Sequence, residues 1–152
     1  MLVVLVGNIG TGKSTYVNSL KRKANRIVLC TDELFSEIQD KNRFYKKLIE
    51  TIDLTLNANK TIIVDGNNMS KRIRDHFICV AKRYQRPAII IDFGPGTDIT
   101  LQRRINNSPE ISAQEWSSRH LEHQADYDKP SMKTEFFDRI IRKYPLREPT
   151  EK

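Results

Sequence analysis

The stretch Val3-Val4-Leu5-Val6-Gly7-Asn8-Ile9-Gly10-Thr11-Gly12-Lys13-Ser14-Thr15 decides the fold. A run of apolar residues passes into three glycines within six positions, in a chain that has only six glycines, and then into a helical pattern. Residues 7 to 14 match G-x-x-x-x-G-K-[ST], the phosphate-binding loop between a strand and a helix. Glycine lets the backbone take positive φ and approach a ligand closely. Successive N–H groups then line a concavity for an anion, and the following helix adds its own unpaired N–H groups. Gly7, Asn8, Ile9, Gly10, Thr11, Gly12, Lys13, Ser14 and Thr15 are therefore expected to hold a nucleoside triphosphate. Lys13 is expected to reach the β- and γ-phosphates, and the Ser14 hydroxyl to ligate Mg²⁺.

Outward from this loop, apolar runs alternate with longer amphipathic stretches, the pattern of an α/β fold with a parallel sheet. The runs cover residues 2–6, 27–30, 61–64, 88–91 and 139–142, which predicts about five strands covered by helices on both faces. Helical patterns fall at about 14–24, 43–57, 71–85, 98–107 and 113–125. Ser112 with Glu115 three residues on reads as a capping box. A chain of 152 residues fits one domain, read here as residues 1–143, with a small helical lid at about 97–126 and a loosely ordered tail at 144–152.

No apolar run reaches the length of a membrane span, and the first strand is too short for a signal peptide. Cys30 and Cys79 sit among apolar neighbours and read as buried free thiols in a reducing, cytoplasmic setting. The net charge of +7 is spread over small basic clusters and favours a polyanionic partner.

Three of the strands run directly into an aspartate: Asp32, Asp65 and Asp92. In a parallel sheet all strand C-termini share one edge, where ligands bind, and the phosphate loop leaves the first strand there. The three are therefore expected to gather near a bound nucleotide. Asp65 reads either as an acid near the metal or as a cap of the following loop. Asp32 reads either as the general base for an acceptor hydroxyl or, with Thr31, as a helix cap. Asp92 precedes Gly94-Pro95-Gly96 and reads as a residue that shapes that turn. Phosphoryl transfer also needs a cation on the transferring group, and Arg103 or Arg104 on the lid could supply it.

The loop, Thr31-Asp32, the run Val64-Asp65-Gly66-Asn67-Asn68-Met69 with Arg74 beyond it, and the segment Asp92 to Arg104 follow one another in a familiar order. They resemble the polynucleotide kinase family of P-loop phosphotransferases, and most nearly the 5′-kinase domain of phage polynucleotide kinases. The resemblance runs from Met1 to about Ile141. It implies ATP and Mg²⁺ as cofactors and transfer of the γ-phosphate to 5′-hydroxyl ends of DNA or RNA, with a role in nucleic acid repair, in the host cytoplasm if phage-encoded. It also implies that Asp32 is the base, that Asn67, Asn68 and Arg74 line the acceptor site with Asp32, and that Arg103 is on the lid.

The chain departs from that family at two points. Phe35 stands where the family often has an arginine that contacts the acceptor, and it reads instead as a stacking surface for a nucleobase. The lid reads Arg103-Arg104-Ile105-Asn106-Asn107, without the family's second arginine, for which Arg104 or Arg119 could substitute. The same loop, acid and lid would also serve a kinase of a nucleoside, nucleotide or other metabolite. A module that binds or hydrolyses a nucleotide without transfer is a further alternative. No Asn-Lys-x-Asp stretch for guanine recognition is present.

Overall fold

The computed structural model describes residues 1–144, so residues 145–152, nearly all of the expected loose tail, lie outside the described residues. Each of the five apolar runs forms a strand: β1 (Leu2–Val6), β2 (Arg26–Cys30), β3 (Thr61–Asp65), β4 (Ala88–Asp92) and β5 (Arg139–Arg142). All pair in parallel, in the order β2-β3-β1-β4-β5. The central strand β1 is buried at every residue, as its unbroken valine and leucine run requires. The sheet edge carrying the strand C-termini therefore holds the end of β1 flanked by the ends of β3 and β4, with Cys30 beside Asp65 and Val6 beside Asp92.

Among the described residues six helices complete the α/β fold: α1 (Lys13–Ser19), α2 (Thr31–Ile38), α3 (Lys41–Asn57), α4 (Lys71–Arg83), α5 (Asp98–Asn107) and α6 (Ala113–Asp126). On one face of the sheet, Phe44, Leu48, Ile52 and Leu56 recur every four residues along α3. They pack with Phe77, Ile78, Val80 and Ala81 of α4 over Leu2, Val4, Ile62, Val64 and Ile90. The other face is thinner: Val3, Leu5, Ile63, Ile91 and Phe93 lie under Tyr16, Val17 and Leu20.

Several local expectations differ from the structure. The first helix ends at Ser19 rather than near residue 24, because Leu20 turns to an extended conformation (φ −77°, ψ 132°) and the helix fully buries none of its residues. Helix α2 has no counterpart in the sequence reading. It follows β2 without a connecting loop, so no turn residue announces it. Its signs are Asp32 and Glu33 in the first turn, which suit the helix dipole, and Leu34 and Ile38 four residues apart. The expected capping box forms only halfway. Ser112 Oγ accepts the Glu115 N–H at 3.1 Å, but the Glu115 carboxylate turns outward to Arg119.

The thiols are not buried as expected. Cys79 is exposed and Cys30 half-buried, and both are free. Cys79 lies between Ile78 and Val80 in sequence, but on a helix its neighbours are rotated by about 100° and it faces outward.

Candidate active site

Where β1 ends, the chain is pinned on both sides before it turns. The Gly7 N–H donates to the Asn67 carbonyl (3.0 Å) after β3, and the Asn8 N–H to the Gly94 carbonyl (3.1 Å) after β4. Asn8 is fully buried. Its Oδ1 accepts the Ile9 N–H, while Nδ2 donates to the carbonyls of Pro95 (2.8 Å) and His120 (2.9 Å). The Asn8 side chain thus clasps the loop to the β4–α5 connection and to α6. Ile9 is likewise buried.

Beyond this anchor the loop opens. Gly12 has φ 100°, and a Cβ there would meet nothing within 4 Å, so backbone conformation alone demands glycine. Gly10 has φ 70°, and its Cβ would stand 2.1 Å from the Thr100 carbonyl oxygen, so α5 rests directly on the loop. Among the described residues the N–H groups of Gly10, Thr11 and Gly12 make no hydrogen bond, as an anion cradle requires. Thr11 Oγ1 donates back to the Asn8 carbonyl (2.7 Å) and stiffens the turn.

Lys13 Nζ donates to the carbonyls of Gly7 (2.7 Å) and Asn8 (2.8 Å) and lies over the loop. Burial, partly offset by the Asp65 and Asp32 carboxylates, pushes its pKa down from 10.5 to about 8. Asp65, half-buried at the end of β3, has its pKa raised by burial against the lowering effect of Lys13, with Asp32 and Glu33 adding to the rise. Neither the Asp65 carboxylate nor the exposed Ser14 hydroxyl has a hydrogen-bond partner among the described residues.

No group of three His, Cys, Asp or Glu side chains is poised for a metal ion among the described residues. The Ser14 hydroxyl and the Asp65 carboxylate are oxygen donors of the kind that suit Mg²⁺, which takes one or two protein oxygens and completes its shell with phosphates and water.

Asp32 lies in the first turn of α2, and the helix start has no side-chain cap. Neither of the alternative capping residues, Thr31 or Asp32, performs that task, and the Asp32 carboxylate is exposed. Asp92 does not join the other two acids. It is fully buried and accepts from the Gly94 N–H (2.9 Å), Tyr127 Oη (2.9 Å) and Arg142 Nη1 (2.5 Å). It shapes the turn and locks β4 to β5, and burial with Asp92 and Tyr144 beside it raises the Tyr127 pKa.

Above the loop, a cleft of about 130 Å³ is lined by Gly12, Lys13, Ser14, Thr15, Arg103 and Arg104. Arg103 is exposed and reaches the Gly10 carbonyl over a long 3.4 Å. Arg104 lies over the Trp116 ring at 4.8 Å, and its buried Nε has no partner among the described residues. Arg119 stacks on Trp116 at 5.2 Å and pairs with Glu115, so it points to α6 rather than to the loop.

Two residues expected at the acceptor side are structural. Arg74 is fully buried, and all five of its N–H groups are used. They go to both oxygens of Glu135 (2.7 and 3.0 Å) and to the carbonyls of Asn68, Met69 and Asp128. Asn68 is buried, donating through Nδ2 to the Leu5 (2.8 Å) and Val64 (3.3 Å) carbonyls. Both hold the turn after β3, and Arg74 has no N–H group left for a ligand.

Asn67 and Phe35 remain near the open edge. Phe35 is 46% exposed and meets Phe44 edge-on at 5.3 Å. The Asn67 amide is paired with His123 Nε2 at 3.0 Å. Sequence reasoning did not find His123. It projects from α6 into the field of Lys13 and Asp32, and burial, reinforced by Lys13, lowers its pKa. The absence of any motif around it left only its position on a helix following the arginines as a signal.

A parallel sheet with this loop at its open edge defines a P-loop kinase-like domain. The AAA domain family matches residues 2–131, and the chain belongs to that family. Solved structures share the fold at low identity. A putative kinase from Chloroflexus aurantiacus superposes with a TM-score of 0.65 at 15% identity, covering 93% of this chain and 82% of that one. The APS kinase CysC of Mycobacterium tuberculosis, in complex with AMPPNP and APS, gives 0.60 at 16%, covering 97% and 89%. A chain of the Pnkp1/Rnl/Hen1 complex gives 0.54 at 18%, covering 90% of this chain but 43% of that one. No helix among the described residues is long and apolar enough to cross a membrane.

Proposed function

We propose that this protein transfers the γ-phosphate of ATP to the 5′-hydroxyl ends of DNA or RNA. The observation that carries the reading is the free Asp32 carboxylate, one helical turn before the exposed ring of Phe35 and within the electrostatic reach of Lys13. In this reading the open N–H groups of the loop hold the β- and γ-phosphates, and Lys13 neutralises them. The Asp32 carboxylate accepts the proton of the acceptor hydroxyl as its oxygen bonds to the γ-phosphorus and the bond to the β-phosphate oxygen breaks, releasing ADP. Ser14 and Asp65 would hold Mg²⁺, which supplies charge neutralisation at the β- and γ-oxygens. The segment 97–126 acts as a lid that brings Arg103 or Arg104 onto the transferring group.

A second reading, a kinase of a small metabolite, is favoured by the similarity to an enzyme solved with APS as its ligand. The two separate on acceptor size. Incubation with γ-labelled ATP and Mg²⁺ against 5′-hydroxyl DNA and RNA oligonucleotides, 3′-nucleotides, nucleosides and nucleoside monophosphates decides between them. Label on oligonucleotides is the expected result. Label on monomers alone establishes the second reading, and label in inorganic phosphate alone refutes the first. Asp32→Ala is expected to abolish transfer while ATP binding persists; undiminished turnover would remove Asp32 from the chemistry.

A further inference from the structure

We infer that the groove between the upper turns of α3 and α4 is a track for the single strand that trails from the acceptor end. This inference rests on the polynucleotide reading above and extends it to residues that have no part in the transfer site. The groove has a volume of about 650 Å³. Lys41, Lys46 and Arg72 stand on its rim beside Tyr45 and His76. Its floor is apolar, formed by Ile49, Ile73 and Phe77.

Three features suit it to a nucleic acid strand rather than to a small ligand. The first is charge. Most other cations on these helices are matched: Lys47 with Glu50, Lys71 with Asp75, Arg83 with Asp53 and Arg74 with Glu135. Lys41, Lys46 and Arg72 have no carboxylate partner among the described residues, and all three are exposed. Unmatched cations converging on one groove are a phosphate-binding pattern.

The second is aromatic continuity. Phe35 and Tyr45, both exposed, each make an edge contact with the buried Phe44 at 5.3 and 5.1 Å. The rings thus lead from the helix that carries Asp32 to the groove, offering faces on which bases stack without regard to sequence.

The third is length. From Lys41 to Ile49 the helix rises about 12 Å. At roughly 3.4 Å per stacked nucleotide this accommodates about three nucleotides, one for each free cation. Helix α4 begins just after the turn that carries Asn67, and the Phe35–Phe44 contact ties the start of α3 to the helix that carries Asp32, so the groove lies beside the acceptor position.

The test compares wild type with the double variant Lys46→Ala/Arg72→Ala, each checked for folding by circular dichroism. The acceptors are a 5′-hydroxyl dinucleotide and a 12-nucleotide single strand, and binding of a 3′-labelled 12-mer is followed by fluorescence anisotropy. With about 0.7 counterions released per phosphate contact, loss of two cations weakens 12-mer binding about 25-fold at 0.1 M salt. It also flattens the slope of log affinity against log salt by about 1.4. The KM for the 12-mer is expected to rise in proportion, with the dinucleotide KM and both kcat values unchanged.

A wild type that phosphorylates the 12-mer, with a double variant that matches it in KM and salt slope, overturns the track and leaves the kinase reading standing. Groove-dependent binding without transfer to the 12-mer overturns the kinase reading and keeps the track. Absence of both binding and transfer overturns both.

Discussion

Raising the pH from 7 to 9 should weaken ATP binding about tenfold through Lys13 alone. Its ammonium is desolvated over the loop and repelled by Arg104, and Asp65 and Asp32 only partly compensate, so it loses its proton near pH 8. Bound phosphates hold the charged form, so the free protein must take up a proton before or during binding. The factor (1 + 10^(pH−8)) is about 11 at pH 9 and about 1.1 at pH 7, hence the tenfold ratio.

The sign reverses for the stability of the free protein. The unfolded chain keeps the lysine proton up to about 10.5, so between the two pKa values it binds more protons than the folded chain, and stability rises with pH. The gain attributable to Lys13 is about 2 kcal/mol between pH 8 and 10. Calorimetric titration of an ATP analogue with Mg²⁺ at pH 7, 8 and 9, in two buffers of different ionisation enthalpy, measures affinity and proton uptake together. Urea unfolding of wild type against Lys13→Met isolates the stability effect. Lys13→Arg stays charged throughout and should bind the analogue with little pH dependence. A flat wild-type profile, or an equally steep one for Lys13→Arg, would refute the assignment of the titration to Lys13.

The remaining tests concern the residues around the loop. Arg74→Met leaves the Glu135 carboxylate and three carbonyls buried without their donor, and should cost about 3–5 kcal/mol in urea unfolding. A loss below about 1 kcal/mol would mean that the pair is not sealed from water. Arg103→Ala should lower kcat about 100-fold, as removal of one donor to a developing charge does. Arg104→Ala should act mainly on KM for ATP, because its guanidinium is committed to Trp116. A larger kcat loss for Arg104 would exchange the two assignments.

The donor half of the site was legible because its information is local. Eight consecutive positions encode a strand end, two backbone conformations and a helix start, and Gly10 and Gly12 report φ values that few other residues reach. The alternation of apolar and amphipathic runs likewise carried the sheet, because parallel strands buried on both faces leave continuous valine and isoleucine in the sequence. What failed was assignment by neighbourhood. Arg74 lies six residues beyond Asn68 and reads as part of the same site, but its partner Glu135 comes 61 residues later and closes it inside the protein. Asp92 ends its strand as Asp65 does, and the arrival of Tyr127 and of Arg142 on β5 removes it from the open edge.

The open edge beside the loop depends on such non-local pairings. It is flanked by α2, which no turn residue marks, and by α6, which places His123 against Asn67 across 56 residues. A phosphate is recognised by backbone groups that a short motif can specify, whereas an acceptor is recognised by side chains that different elements bring together. Chains with the same loop can therefore diverge in acceptor while keeping the fold, and low identity to neighbours of the same fold is the expected consequence. It follows that substitutions on α2, α3 and α6 should change which hydroxyl is phosphorylated, while substitutions in residues 7–15 should change whether any is.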